Sequence, residues 1–223
     1  MAKGKGRLVK AFIGHTGPEL AAQEVLYGFV MALIFITSAQ VGLIGYSSPW
    51  DVIIMVLGMN FVWGFIDMYI FYRMDATAQK RYIKILNDKD MDPEKRYQEA
   101  YGALDGTILD AVCEDCKSEV ARRILDAEVA KESNLKADRV KMLKSAASCF
   151  IITLMTTIPL ILCMALIPGE DGLEAAIVVA CALLFIVGYK LEPGDSVKNR
   201  VMTGASIALV SFGLTYFAMY LGG

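Results

Sequence analysis

The chain of 223 residues has one histidine, His15, and only 21% of its residues are charged. A single imidazole flanked by Gly14 and Gly17 excludes a histidine-built metal or catalytic site. No nucleophile–base pair and no phosphate-cradling glycine loop is present, so an enzyme is not expected. Nucleic acid is not an expected partner and no tightly bound cofactor is implied. The five cysteines are an odd number, and none falls where an external disulfide would persist, so all are expected to be reduced. No small-residue cleavage site follows the first apolar run, so a cleavable signal peptide is not expected.

What the sequence does have is apolar length. It is 56% hydrophobic, too much for an ordinary soluble domain. Residues 25–46, 52–72, 146–167, 175–189 and 201–221 are five nearly uncharged runs. A hydrocarbon core of about 30 Å needs about 20 apolar residues per helix, and all but 175–189 supply that many. This fourth run spans only if the residues around Gly172 and Lys190 reach the interfaces.

All 22 Lys and Arg lie before the first run, between Arg73 and Lys144, or at Lys190, Lys198 and Arg200. Basic loops stay in the cytoplasm, so these segments are expected inside and the C-terminus outside. The loops at 47–51 and 168–174 carry acids and no base. Lys3, Lys5, Arg7 and Lys10, interspersed with Gly4 and Gly6, read as a basic tail near anionic lipid. The expected fold class is therefore all-α: a polytopic membrane protein, expected in the cell membrane, with five transmembrane helices and a three-helix cytoplasmic insert between helices 2 and 3. Its parts are a cytoplasmic N-terminal segment (1–23), transmembrane helices 1–2 (24–73), the cytoplasmic helical domain (74–145) and transmembrane helices 3–5 (146–223).

The insert holds fifteen acidic and fourteen basic residues in a helical pattern, as expected of helices in water. Asp92-Pro93 predicts a helix start. Helices are expected over 77–86, 93–104 and 107–131, the chain from Leu135 feeding into the next span. Ile108, Val112, Val120, Ile124 and Val129 would form a narrow apolar stripe along the last of them. So few anchors in about seventy residues suggest support from a second copy.

Ionisable groups inside membrane helices mark functional sites. Asp67 is the clearest, on one helix face with Gly64 and Asn60; a carboxylate, an amide oxygen and room for close approach suit a cation path. The bland reading is an interfacial Asp paired with Arg73 or Lys80. Glu24 opens the first helix, where the helix dipole would favour a carboxylate for structural reasons alone. Met31, Thr37, Ser38 and Gln40 read either as path residues or as helix-packing residues. In the insert, Asp110, Cys113, Glu114, Asp115, Cys116 and Glu119 mix thiols and carboxylates, a set that suits a borderline transition metal. Lys117, Arg122 and Arg123 in the same stretch favour a solvated, salt-bridged face.

This layout resembles the vacuolar iron transporter family over nearly the whole chain. The first-helix opening Glu24-Val-Leu-Tyr-Gly28-Phe-Val-Met31 is similar to that family's. So are Gly58-Met-Asn60-Phe-Val-Trp63-Gly64-Phe-Ile-Asp67, in its divergent prokaryotic branch, and the last helix from Arg200 to Tyr216. The resemblance implies a homodimer that moves Fe²⁺ or Mn²⁺ out of the cytoplasm in exchange for protons. It also implies that Asp67 and Met68 belong to the path and that Asp110, Glu114 and Glu119 collect metal. Better-known members carry Asn-Asp-Gly where this chain has Tyr27-Gly28-Phe29, leaving Glu24 and Asp67 to supply the carboxylates. The rival reading is a non-transporting scaffold or sensor whose charged insert binds a partner.

Overall fold

The structure is a computed structural model that describes residues 17–88, 90–127, 132–194 and 196–222. His15 and the basic residues before it lie outside them. Seven α-helices are seen among the described residues, with no strand: α1 (Pro18–Gln40), α2 (Pro49–Asn87), α3 (Pro93–Gly102), α4 (Glu114–Leu125), α5 (Glu132–Leu166), α6 (Glu170–Leu191) and α7 (Val197–Gly222). A 3₁₀ turn at Ile108–Ala111 precedes α4. Five of these helices, α1, α2, α5, α6 and α7, are long and apolar enough to cross a membrane.

The helix boundaries follow local chemistry and correct several expectations. Pro18 sits in the first turn of α1 with Glu19 beside it, so the helix begins and ends earlier than the apolar run 25–46. The short fourth run belongs to a helix of 22 residues, because Glu170, Asp171 and Lys190 join its two ends. At 1.5 Å per residue that is about 33 Å, enough to span. Asp92 accepts the Lys95 N–H at 3.0 Å, so Asp92-Pro93 starts a helix as its residues predict.

The described residues form two compact units: up to Tyr69 together with Lys144 onward, and Ile70–Leu143. In the first unit, Phe29, Leu33 and Ile36 of α1 are buried against Val52 and Val56 of α2, Leu160 and Met164 of α5, and Ala176, Ala180 and Leu184 of α6. Small residues on α6 let the helices approach closely, the way helices pack where lipid offers no hydrophobic incentive to associate. Leu209, Val210 and Leu214 of α7 are exposed, as lipid-facing side chains would be.

In the second unit the insert differs from expectation. Residues 77–86 are the end of α2 rather than a separate helix, and 107–131 is not one helix. Thr107 caps the 3₁₀ turn through the Leu109 N–H, the chain extends at Val112, and α4 starts only after Cys113. The apolar stripe is broken accordingly: Ile108 is 85% exposed, Val120 and Ile124 are half-buried, and Val129 lies outside the described residues.

Arg96 organises this unit. Its Nε donates to the Ile85 carbonyl at 2.9 Å, and its Nη2 to Leu86 at 2.7 Å and to Leu125 at 3.4 Å. One guanidinium thus satisfies carbonyls left open at the ends of two helices. Because such charge-assisted bonds contribute more than neutral ones, Arg96→Leu should destabilise the insert by about 2 kcal/mol. Hydrogen exchange on the full chain should show faster exchange within Ile70–Leu143 and unchanged rates elsewhere, with Arg96→Lys recovering only part because it lacks the fork.

Candidate functional site

The polar centre of the first unit lies where α1, α2 and α5 meet. Glu24 has no solvent exposure, and Thr153 of α5 donates from Oγ1 to its Oε2 at 2.6 Å. Its other oxygen, Oε1, has no hydrogen-bond partner. A buried polar oxygen without a partner costs about 1–3 kcal/mol, and more if charged. Asp67 is half-buried. Asp67, Thr153, Met31, Tyr27, Val30 and Trp63 line a cavity of about 210 Å³.

Several features of the sequence build this arrangement. Gly28 packs directly on the Thr156 hydroxyl, and any Cβ there would collide with it, so a glycine one turn after Glu24 sets the approach of α1 to α5. A Cβ on Gly64 of α2 would lie 3.1 Å from the Phe150 ring and 3.4 Å from Thr153 Cβ. Phe150 also meets Phe61 edge-on at 5.4 Å between centroids. On α5, just before Pro159, Thr156 and Thr157 donate to carbonyls three residues earlier in their own helix, while the single Thr153 proton goes to Glu24 and its Oγ1 lies 3.1 Å from the Cys149 carbonyl. Such back-bonding lets hydroxyls sit inside an apolar bundle, and Pro159 leaves its helix one backbone bond short.

The predicted path residues fall into three groups. Asp67, Met31 and, through Thr153, Glu24 are brought together at the cavity. Asn60 is fully buried on the same helix as Asp67, about 10 Å further along it by helical rise; its Nδ2 donates to the Val56 carbonyl at 3.0 Å and its Oδ1 has no partner. Met68 is half-buried but does not line the cavity. Glu24 also needs a correction. Because α1 starts at Pro18, it lies beyond the first turn, where the helix dipole has faded, and it faces the interior. The ion pairs found among the described residues all lie in the second unit, so a salt bridge is not what holds Asp67. Thr153 is the residue that sequence reasoning missed. The run Thr153 to Pro159 carried its signal, three threonines ahead of a proline in an otherwise apolar segment.

The metal-collecting set proposed for the insert is not assembled. No group of three His, Cys, Asp or Glu able to hold a metal occurs among the described residues. Asp110 accepts from Lys117 Nζ at 2.5 Å and from the Gly106 N–H at 2.6 Å, and Glu119 is paired with Arg123 at 2.8 Å. Glu114 faces Tyr97, Gln98 and Tyr101 instead. Cys113 caps α4 with Cys116 beside it, both exposed. Part of the physical reason is Lys117: itself buried, it pairs with both Asp105 and Asp110, so these carboxylates are engaged by its ammonium rather than by a shared cation.

That triad makes the insert pH-sensitive at both extremes. Lys117, by its hydrogen bond and then that of Gly106, holds the Asp110 carboxyl below its ordinary range, while Asp105 and then Asp110 push the Lys117 ammonium up. A depressed carboxyl stabilises above its unfolded value and loses that contribution as pH falls through its folded value. A raised ammonium stabilises below its unfolded value and loses it as pH rises through its folded value. Hydrogen-exchange protection of the insert should therefore be flat between about pH 4 and pH 10 and fall outside that window. Lys117→Met should remove the plateau's dependence on both groups.

No protein-family profile matches this chain, and no curated protein and no solved structure matches it either.

Proposed function

We propose that the protein is a homodimeric integral membrane transporter that carries divalent transition metal ions, Fe²⁺ or Mn²⁺, out of the cytoplasm in exchange for protons. The observation that carries this reading is the Glu24 carboxyl, fully buried with one oxygen unpartnered and the other held by Thr153, which together with Asp67 and Met31 lines a cavity in an apolar helix bundle. Two carboxylates balance a divalent charge, and the Met31 thioether on the same wall favours a softer ion than Mg²⁺ or Ca²⁺. The same carboxylates bind protons when the metal is absent, so metal and proton compete at one place, as exchange requires.

The basic residues support a topology in which the N-terminus and the 74–145 insert face the cytoplasm and α7 ends outside. The family resemblance points the same way, with Asp67 as the principal carboxylate and Glu24 standing in for the first-helix acid. The insert enters this reading as a charged cytoplasmic domain, with no group of three metal-binding side chains among its described residues.

The test is metal uptake by proteoliposomes holding a divalent-metal dye, across Fe²⁺, Mn²⁺, Zn²⁺ and Mg²⁺ and with or without an opposing pH gradient. The expected result is Fe²⁺ or Mn²⁺ flux that the gradient accelerates, with counter-flow of protons read by a pH dye. Absence of flux for every ion would overturn the transporter and leave the scaffold reading. Thr153→Val, which removes the donor to Glu24 but keeps the shape, should lower flux several-fold without unfolding the protein, as judged by its elution from a sizing column.

A further inference from the structure

The cysteine pair in the insert has a geometry that the transport reading does not use. Cys113 is the N-cap of α4, with extended backbone (φ −63°, ψ 151°), and its carbonyl accepts the Lys117 N–H at 3.1 Å to start the helix. Cys116 stands three residues later, in the first turn. Helical rise and radius place Cα atoms at that spacing roughly 5 Å apart, inside the roughly 4.4–6.8 Å range that a disulfide bridges. Both thiols are exposed. The other three cysteines, Cys149, Cys163 and Cys181, all lie in helices of the apolar unit.

We infer that Cys113 and Cys116 are a redox-active dithiol, oxidised to an intramolecular disulfide by thiol exchange with low-molecular-weight disulfides. The Cys116 thiol, and then its amide, push the Cys113 thiol down; the same contact pushes Cys116 up, and the Asp115 carboxylate opposes ionisation of both. The free N–H groups of the first turn of α4 also favour a thiolate at the cap. Lys117 is held by Asp105 and Asp110 and is not what activates the pair. Cys113 is thus the attacking thiol and Cys116 the resolving one.

The exchange balances in two displacements. The Cys113 thiolate attacks one sulfur of the small disulfide, forming a mixed disulfide and expelling a thiolate that takes up the Cys113 proton. Cys116 then loses its proton and attacks Cys113 Sγ, expelling the second small thiolate, which takes up that proton. Two electrons pass from the cysteine pair to the small disulfide, which leaves as two thiols. In a reducing compartment the pair returns to dithiol by the reverse steps, as transient cytosolic disulfides do.

The test uses the full chain in detergent with Cys149, Cys163 and Cys181 replaced by serine, equilibrated in buffers of reduced and oxidised glutathione. After acid quenching and maleimide labelling, the peptide holding both cysteines is weighed. The expected result is loss of two hydrogens and of both labels as the buffer becomes oxidising, in a chain that stays monomeric on a non-reducing gel. Cys116→Ser should then trap glutathione on Cys113, and Cys113→Ser should trap at least about ten-fold less at equal times. Thiols that stay labelled in every buffer, a disulfide between chains, equal trapping by the two variants, or thiols masked until a chelator strips a metal would each overturn the inference.

Discussion

Reconstituted Asp67→Asn protein is expected to carry metal at no more than about a tenth of the wild-type rate and to lose its response to a pH gradient, since disturbing a single metal-site partner costs roughly 10–100-fold. The substitution is nearly isosteric and Asp67 borders a cavity rather than a packed interface, so the fold should survive it. Glu24→Gln tests the same pair from the other helix. Its amide can still accept from Thr153, so the hydrogen bond that orients it persists while the negative charge does not. Loss of metal flux in both variants, with unchanged elution and thermal stability, identifies the two carboxylates as one site. Wild-type flux in Asp67→Asn would remove Asp67 from the path and with it the main support for the exchange reading.

Gly204→Val is expected to be strongly disruptive to the fold of the apolar unit. A Cβ at Gly204 would lie 2.6 Å from the Phe185 carbonyl oxygen and 3.0 Å from its ring, and one at Gly188 would lie 2.9 Å from Gly204 Cα. Backbone meets backbone at this crossing of α6 and α7, so no flexible side chain can move aside. Overpacking costs about 1–3 kcal/mol for small additions. A branched side chain should reach the upper end, a fall in melting temperature on the order of 5 °C or more in detergent. Gly213→Ala on the same helix, where an added Cβ meets nothing within 4 Å, is the control and should change little. Equal melting temperatures for Gly204→Val and wild type would show that the two helices do not pack through this crossing.

Much of the architecture is written in residue order because it depends on neighbours. Apolar runs define five long helices, and Asp92-Pro93 starts one of the helices of the insert because cap and proline act within a turn. Gly17-Pro18-Glu19 was an equally local start signal, overshadowed by the stronger hydropathy step at Val25. Reading past it put Glu24 at a helix end instead of inside the bundle. The division of 107–131 into a 3₁₀ turn and α4 is local: the Thr107 hydroxyl and the Asp110 carboxylate bond the Leu109 and Gly106 N–H groups within a tight turn, and the backbone turns extended at Val112 before α4 begins.

Residue order alone specifies helical segments, five of them long and apolar enough to span a membrane, a charge-rich segment between the second and third, and Asp67 as an acid inside an apolar run. Each of these follows from composition and period along the chain. Where the acids sit and what partners them depends on packing between distant segments. Glu24 and Thr153 are 129 residues apart in sequence, and no periodicity predicts that a threonine would satisfy one carboxylate oxygen and leave the other free. Lys117 is likewise read from the sequence as one charge among many. Burial between Asp105 and Asp110 makes it the residue that closes the acidic surface, because a charge withdrawn from water must be paired wherever the fold brings partners to it.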